Sequence, residues 1–371
     1  MNILYLVNHL NIGGITSYSL TLSRGLIHRG HRVYVASSGT GLLSEFIKEG
    51  AFYIHIPIDT KQEVGPKIIL SMFKLLPVIK KNNIDILHSN SRTTQVLGSL
   101  LSVFTGTPHV STCHGFFKKR FFRRIFPCWG AKTIAISEPV KEHLCLDFKV
   151  RPENIAVIHN GIDIQRFALQ KDVLTVRRAV NRKIFGLGAN DFVVGIIARL
   201  SDVKGHAYLI RAMQMVIDKY PQAKLLIVGD GRMKDELLKL SRNLGIKGSV
   251  FFRTEVYDTA SVLSSIDIFV MPSLKEGLGL ALMEAMAGGL AVVGSNVGGI
   301  KSLIQDGYSG LLTEPGNIEQ LSKAIIDLLN DAKKREFLGN NARAYIAKNF
   351  PEEKMVLETE KAYLECLNAK D

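Results

Sequence analysis

The chain has 371 residues, more than one ordinary domain of roughly 100–200 residues accommodates, so two domains are expected. Its 46% hydrophobic and 22% charged content excludes a disordered chain, and no run of about 18 apolar residues is present to span a bilayer. The net charge is +13, and residues 1–163 hold 19 Lys/Arg against 10 Asp/Glu, a balance of +9 that calls for an anionic partner: an acidic membrane surface, a phosphate-bearing substrate or a nucleic acid.

Short apolar runs alternate with helix-like segments along the chain. In the first half the runs are residues 3–7, 32–36, 52–56, 84–88, 109–112, 133–136 and 156–158, with amphipathic stretches such as 15–28 and 66–80 among them. Their length and β-branched content are those of buried parallel strands. The rhythm restarts at 192–198 and continues through 224–228, 250–252, 268–271 and 291–294, separated by helical stretches such as 206–219, 234–244 and 317–329. Two doubly wound α/β domains follow, residues 1–165 and 166–350, with a junction near 160–167 and a last helix in 351–371 returning toward the first domain. Residues 3–7 lack a cationic leader and read as a strand, not a signal peptide. Cys113, Cys128, Cys145 and Cys366 form no CxxC pair and no zinc spacing, and read as reduced, cytoplasmic thiols.

The chemistry concentrates in loops that follow strands. Gly13-Gly14 makes a tight turn after the first strand, but the neighbouring residues form no GxGxxG fingerprint, which argues against a dinucleotide enzyme. His114 ends a strand in Thr112-Cys113-His114-Gly115. From Phe116 to Phe126, five cations interleave with five phenylalanines. Such a run suits an anionic membrane surface, the rings inserting while the charges meet headgroups, and it suits equally a helix whose rings pack inward. Arg199 and Lys204 share one loop ahead of Gly205 and a helix start, a pairing of cations fit for a pyrophosphate. Asp230 lies in a Gly-Asp-Gly turn, where the alternative is a helix cap.

The richest segment is Met271-Pro272-Ser273-Leu274-Lys275-Glu276-Gly277-Leu278-Gly279-Leu280-Ala281-Leu282-Met283-Glu284. Gly277 and Gly279 allow close backbone approach, and the helix start behind them offers free N–H groups to an anion. Glu276 in the loop can reach sugar hydroxyls, and Glu284 on the helix can accept two hydrogen bonds from a ribose diol.

Glu276 and Glu284, with seven residues between them, resemble the EX7E motif of retaining GT-B glycosyltransferases, especially family 4. Asn160-Gly161-Ile162-Asp163 is similar to that family's segment at the domain junction. The resemblance implies a GT-B fold, two Rossmann-like domains facing a central cleft. It implies that Glu276 touches the transferred sugar, Glu284 the donor ribose, and the backbone around Leu278, Gly279 and Leu280 the sugar and diphosphate. It further implies that Arg199 and Lys204 hold the diphosphate, that Gly13 and Gly14 approach it, that Asp230 lies near the nucleotide and that His114 contacts the sugar. One departure stands out: Arg253-Thr254-Glu255-Val256 replaces a Gly-containing loop that in the family approaches the base.

The expected reaction is retaining sugar transfer from a nucleotide diphosphate sugar, UDP-sugar first and GDP-mannose second, without a cofactor or metal. The expected acceptor is lipid-linked or a glycan in bacterial surface polysaccharide or glycolipid assembly, with the enzyme cytoplasmic and peripheral on the inner face of the cell membrane, and no nucleic acid as partner. A GT-B-like epimerase or phosphorylase stays open, although Glu276, Glu284, Arg199 and Lys204 argue against it. More remote is a non-catalytic module that binds nucleic acid, which salt-dependent binding without donor binding would reveal.

Overall fold

The computed structural model describes residues 1–369 apart from 61, 64, 120–122, 124, 168–170 and 255–257, and apart from the side chains of 171–175. The chain divides into two compact units, one of Met1–Gly161 with Glu352–Asp371, the other of Ile162–Pro351.

The first unit holds a seven-stranded sheet: β1 (Asn2–Leu6), β2 (Arg32–Ser37), β3 (Phe52–His55), β4 (Ile86–Ser89), β5 (His109–Cys113), β6 (Lys132–Ala135) and β7 (Ile155–Val157). The order is β3-β2-β1-β4-β5-β6-β7, every pair parallel. Parallel strands need crossovers, which put helices on both faces and bury both sides of each strand. Alternate residues therefore feed two cores. Ile3, Tyr5, Val33 and Val35 face the helices Gly14–His28 and Glu352–Asn368, whereas Leu4, Leu6, Tyr34 and Ala36 face Pro66–Lys81 and Arg92–Thr105. Gly25 permits the helix–helix contact on the first face, because a Cβ there would lie 2.3 Å from Val356 Cγ2.

The second unit holds six parallel strands: β8 (Phe192–Ile197), β9 (Ala223–Val228), β10 (Val250–Arg253), β11 (Ile268–Met271), β12 (Ala291–Ser295) and β13 (Leu311–Thr313). Their order is β10-β9-β8-β11-β12-β13. Val194, Ile196, Leu225, Ile227, Val270 and Val293 pack beneath Leu209, Met213 and Ile325 of its helices. Neither sheet runs in sequence order. The direction of winding reverses between β1 and β4 in one and between β8 and β11 in the other, and crevices that take ligands open outside the strand ends at such points.

β13 is missing from the sequence reading. It has three residues, too few to show a period, and follows Gly310.

Candidate active site

In the second unit the loops after β8 and β11 meet. The first carries Arg199 and a turn of 3₁₀ helix, Asp202–Lys204, before Gly205 opens the helix His206–Lys219. Gly205 has φ +73°, and a Cβ there would lie 1.9 Å from the Pro272 carbonyl oxygen, so only glycine lets the two loops touch. The Leu274 amide donates to the Val203 carbonyl at 2.8 Å and completes the join.

This junction brings two predicted residues together. Lys204 Nζ donates to Glu276 Oε2 at 2.5 Å, and Ser273 Oγ donates to the same oxygen at 3.4 Å. The Glu276 carbonyl accepts from the Gly299 amide at 3.0 Å, which ties the loop to the start of the helix Gly298–Leu303 after β12. Gly277, Leu278 and Gly279 are buried, and Gly279 caps the helix Leu280–Ala287 in the left-handed conformation. Arg199 is exposed, and no side-chain bond is made by it among the described residues, in contrast to Lys204.

Glu284 is buried on that helix. Burial pushes its carboxyl up to about 7, opposed by the Arg166 charge and the Thr259 hydroxyl and reinforced by Asp258. Arg166 pairs with Asp258 at 3.2 Å, and Asp258 caps the helix Thr259–Ser264. These three neighbours lie 25 residues or more before Glu284 in the chain, so no local spacing announces them.

Asp230 is exposed in its turn, and its carbonyl accepts from the Leu200 amide at 2.9 Å. It does not cap the following helix: the residue before Lys234–Asn243 is Met233. Arg253 donates to the Phe185 carbonyl at 2.6 Å, while Glu255 and Val256 of that departing loop lie outside the described residues. His206 escaped the sequence reading. Its ring is buried beside Lys204, both nitrogens lack a hydrogen-bond partner among the described residues, and burial lowers its pKa to about 4.

In the first unit Gly13 precedes, and Gly14 begins, the helix Gly14–His28, with open space where a Cβ would stand at either. His114 follows β5 and donates through Nε2 to Asn90 Oδ1 at 3.1 Å, and its ring meets the Tyr18 ring edge-on at 4.7 Å. Burial pushes its imidazole down to about 3, so it is neutral at physiological pH.

Part of the basic aromatic run packs within the first unit. Phe117 packs among Trp129 and Phe148 with the Arg123 guanidinium 4.9 Å above its ring, and Phe116 meets His143. Arg123 pairs with Glu63 and Lys119 with Asp147. Both rings therefore turn inward, because distant aromatics complete a cluster invisible to local sequence. Ile125 and Phe126 are exposed, and Arg120, Phe121, Phe122 and Arg124 lie outside the described residues.

No group of three or more His, Cys, Asp or Glu is placed to hold a metal ion among the described residues, and none of their helices is long and apolar enough to cross a membrane.

Two family models match. Residues 177–345 fit "Glycosyl transferases group 1" and residues 12–166 fit "Glycosyltransferase Family 4". The UDP-Gal:alpha-D-GlcNAc-diphosphoundecaprenol alpha-1,3-galactosyltransferase of Escherichia coli is 27% identical, covering 88% of this chain and 87% of its own. The N-acetyl-alpha-D-glucosaminyl L-malate synthase of Bacillus anthracis is 25% identical, covering 96% and 95%. The structure of Anabaena HepE in complex with UDP-glucose superposes over the full length of both chains with a TM-score of 0.85 at 23% identity, which fixes the fold as GT-B. With both halves matched, each to a glycosyltransferase model, the chain belongs to the group 1, family 4 glycosyltransferases.

Proposed function

We propose that the chain transfers a sugar, with retention at the anomeric carbon, from a nucleoside diphosphate sugar to a lipid-linked or glycan acceptor in bacterial surface polysaccharide or glycolipid assembly. The observation that carries this is the Lys204–Glu276 contact at a glycine-rich helix start, a cation and a carboxylate side by side where a phosphate and a sugar are to be held together. UDP-sugar is the first choice of donor and GDP-mannose the second. The E. coli relative is named for a UDP-galactose donor and a diphosphoundecaprenol acceptor, and a Corynebacterium glutamicum relative, 33% identical over half of this chain, for GDP-mannose.

In this reading the diphosphate draws Lys204 from Glu276 and takes Arg199 as a second cation. Glu276 is then free to accept hydrogen bonds from the sugar, and Glu284 accepts from the ribose. The bond from the anomeric carbon to the diphosphate oxygen breaks, the acceptor hydroxyl bonds on the same face, and its proton passes to the leaving phosphate. Fixed cations stabilise the charge that develops on that phosphate, so no metal is invoked. Neutral His114, its Nε2–H committed to Asn90, can accept a hydrogen bond from the sugar through Nδ1 but not serve as a cation. The membrane side of the proposal is a peripheral association on the cytoplasmic face, expected from the basic first half.

A thermal-shift screen against UDP- and GDP-sugars tests the donor, since a ligand that binds only the folded state raises the midpoint by mass action. One nucleotide series should shift the parent, and Glu276→Ala should keep the parent's midpoint without ligand but lose transfer by about a hundredfold or more. Normal turnover by Glu276→Ala would overturn the assignment of that residue.

A further inference from the structure

A continuous outward apolar stripe of the first unit lies outside the aromatic run, on the helix Pro66–Lys81. Its buried side is ordinary: Ile68, Met72, Leu75 and Ile79 pack onto the sheet. Its outer side is not. Ile69, Leu70 and Phe73 are 41%, 59% and 62% exposed, and Pro66 and Pro77 are exposed in line with them. At 100° per residue, positions 66, 69, 70, 73 and 77 form one stripe about 100° wide.

Every other exposed residue of this helix is a lysine: Lys67, Lys74, Lys80 and Lys81. Lys67, Lys74 and Lys81 stand seven apart, so they line one flank of the apolar stripe. The helix contains no Asp or Glu. The acid nearest the start of the helix is engaged. Glu63, just ahead of the helix, accepts from Arg92 at 3.1 Å and from Arg123 at 3.0 Å, and Lys67 Nζ donates to the carbonyl of Asp59 at 2.7 Å.

The Glu63 pairings also fix what adjoins the helix. Arg92 donates to the carbonyls of Phe126 and Pro127, both at 2.6 Å, so the helix N-terminus and the exposed Phe126 share one end of the unit. That end is the one where β5 delivers His114.

From this we infer that the outer face of Pro66–Lys81 is an in-plane anchor on an anionic lipid surface, Ile69, Leu70 and Phe73 entering the headgroup boundary and the lysines meeting lipid phosphates. The charge pattern selects the occupant. A second copy packed antiparallel across a two-fold contact would oppose lysine flank to lysine flank, whereas an anionic bilayer matches both stripe and flank. The inference deepens the membrane side of the proposed function and relocates its anchor from the aromatic run to this helix.

The test is flotation of the full chain with phosphatidylcholine vesicles, with and without phosphatidylglycerol. The parent should float with the anionic vesicles only and release as salt is raised. Leu70→Ser/Phe73→Ser should bind at least about tenfold more weakly, and Lys67→Gln/Lys74→Gln/Lys81→Gln should bind more weakly and lose most of its salt dependence. All five positions are solvent-exposed, and an unchanged thermal midpoint confirms folding. Full binding by the Leu70/Phe73 variant, with loss in Phe126→Ser instead, would overturn the anchor while keeping the membrane reading. Failure of the parent to bind anionic vesicles would overturn both. A concentration-dependent dimer in light scattering that the Leu70/Phe73 variant abolishes would overturn the anchor in favour of self-association.

Discussion

Glu284 and Glu276 are both glutamates of one motif, yet they live in different electrostatic settings. Glu276 is held by a lysine at 2.5 Å, whereas Glu284 is buried and its carboxyl is pushed up to about 7. If Glu284 binds a ribose diol as a carboxylate, it must lose its proton first. Donor affinity should then rise between pH 6 and pH 8, by up to about tenfold, and Glu284→Gln should flatten the profile; titration calorimetry at several pH values reads this directly. The glycines separate just as cleanly. Gly205→Ala should cost about 2 kcal/mol or more in urea unfolding, given a Cβ 1.9 Å from the Pro272 oxygen at a φ of +73°. Gly14→Ala meets nothing within 4 Å, so its midpoint should hold, and any effect should fall on donor kinetics alone. Single residues were the most legible part of the site, because glycines, carboxylates and cations carry their chemistry with them. Their partners were not legible: Asn90 beside His114, Arg166 near Glu284 and Gly299 on the Glu276 carbonyl are supplied by the sheet order, not by spacing.

Among the elements, buried parallel strands were readable because both faces are apolar, and a continuous apolar run has few other meanings. β4 shows the limit. His88 and Ser89 sit fully buried in it, held by Tyr363 and Thr112 on the His88 ring nitrogens and by His109 on Ser89. Tyr363 comes from the last helix, so a polar strand end is made tolerable by a segment 275 residues away. The contact between that helix and Gly14–His28 depends on Gly25. Gly25→Ala should destabilise by about 1–3 kcal/mol despite the better helix propensity of alanine, since the added methyl lies 2.3 Å from Val356. Val356→Ala alone should also destabilise, and the double variant should recover part of the Gly25→Ala loss; a double-mutant cycle in denaturant measures the coupling.

For the molecule as a whole, the histidines set the acid limit. His88, His109 and His114 in the first unit and His206 in the second are all held below the ordinary 6.5 by burial, His109 and His114 to about 3 and His206 to about 4. Each stays neutral when folded, while the unfolded chain takes up a proton below 6.5. Their contribution is therefore fully present above 6.5 and is lost as pH falls, at about 1.4 kcal/mol per pH unit for each group. Glu284 acts in the opposite sense: its stabilising share is present below 4.5 and is lost as pH rises through about 7. His159 in the first unit is also lowered by burial, so four histidines stand against one, and the first unit should melt earlier than the second as pH drops from 7 to 5, seen as a split calorimetric transition.

Because Glu352–Asp371 packs with Met1–Gly161, the second unit is an insertion in the first. The order of synthesis is then not the order of completion. The later-made unit has every one of its strands once Pro351 emerges, while the earlier-made unit waits for the final helix to cover Tyr5 and Val35. A free chain truncated after Pro351 should carry one finished unit and one with an uncovered sheet face, the substrate a chaperone would seek.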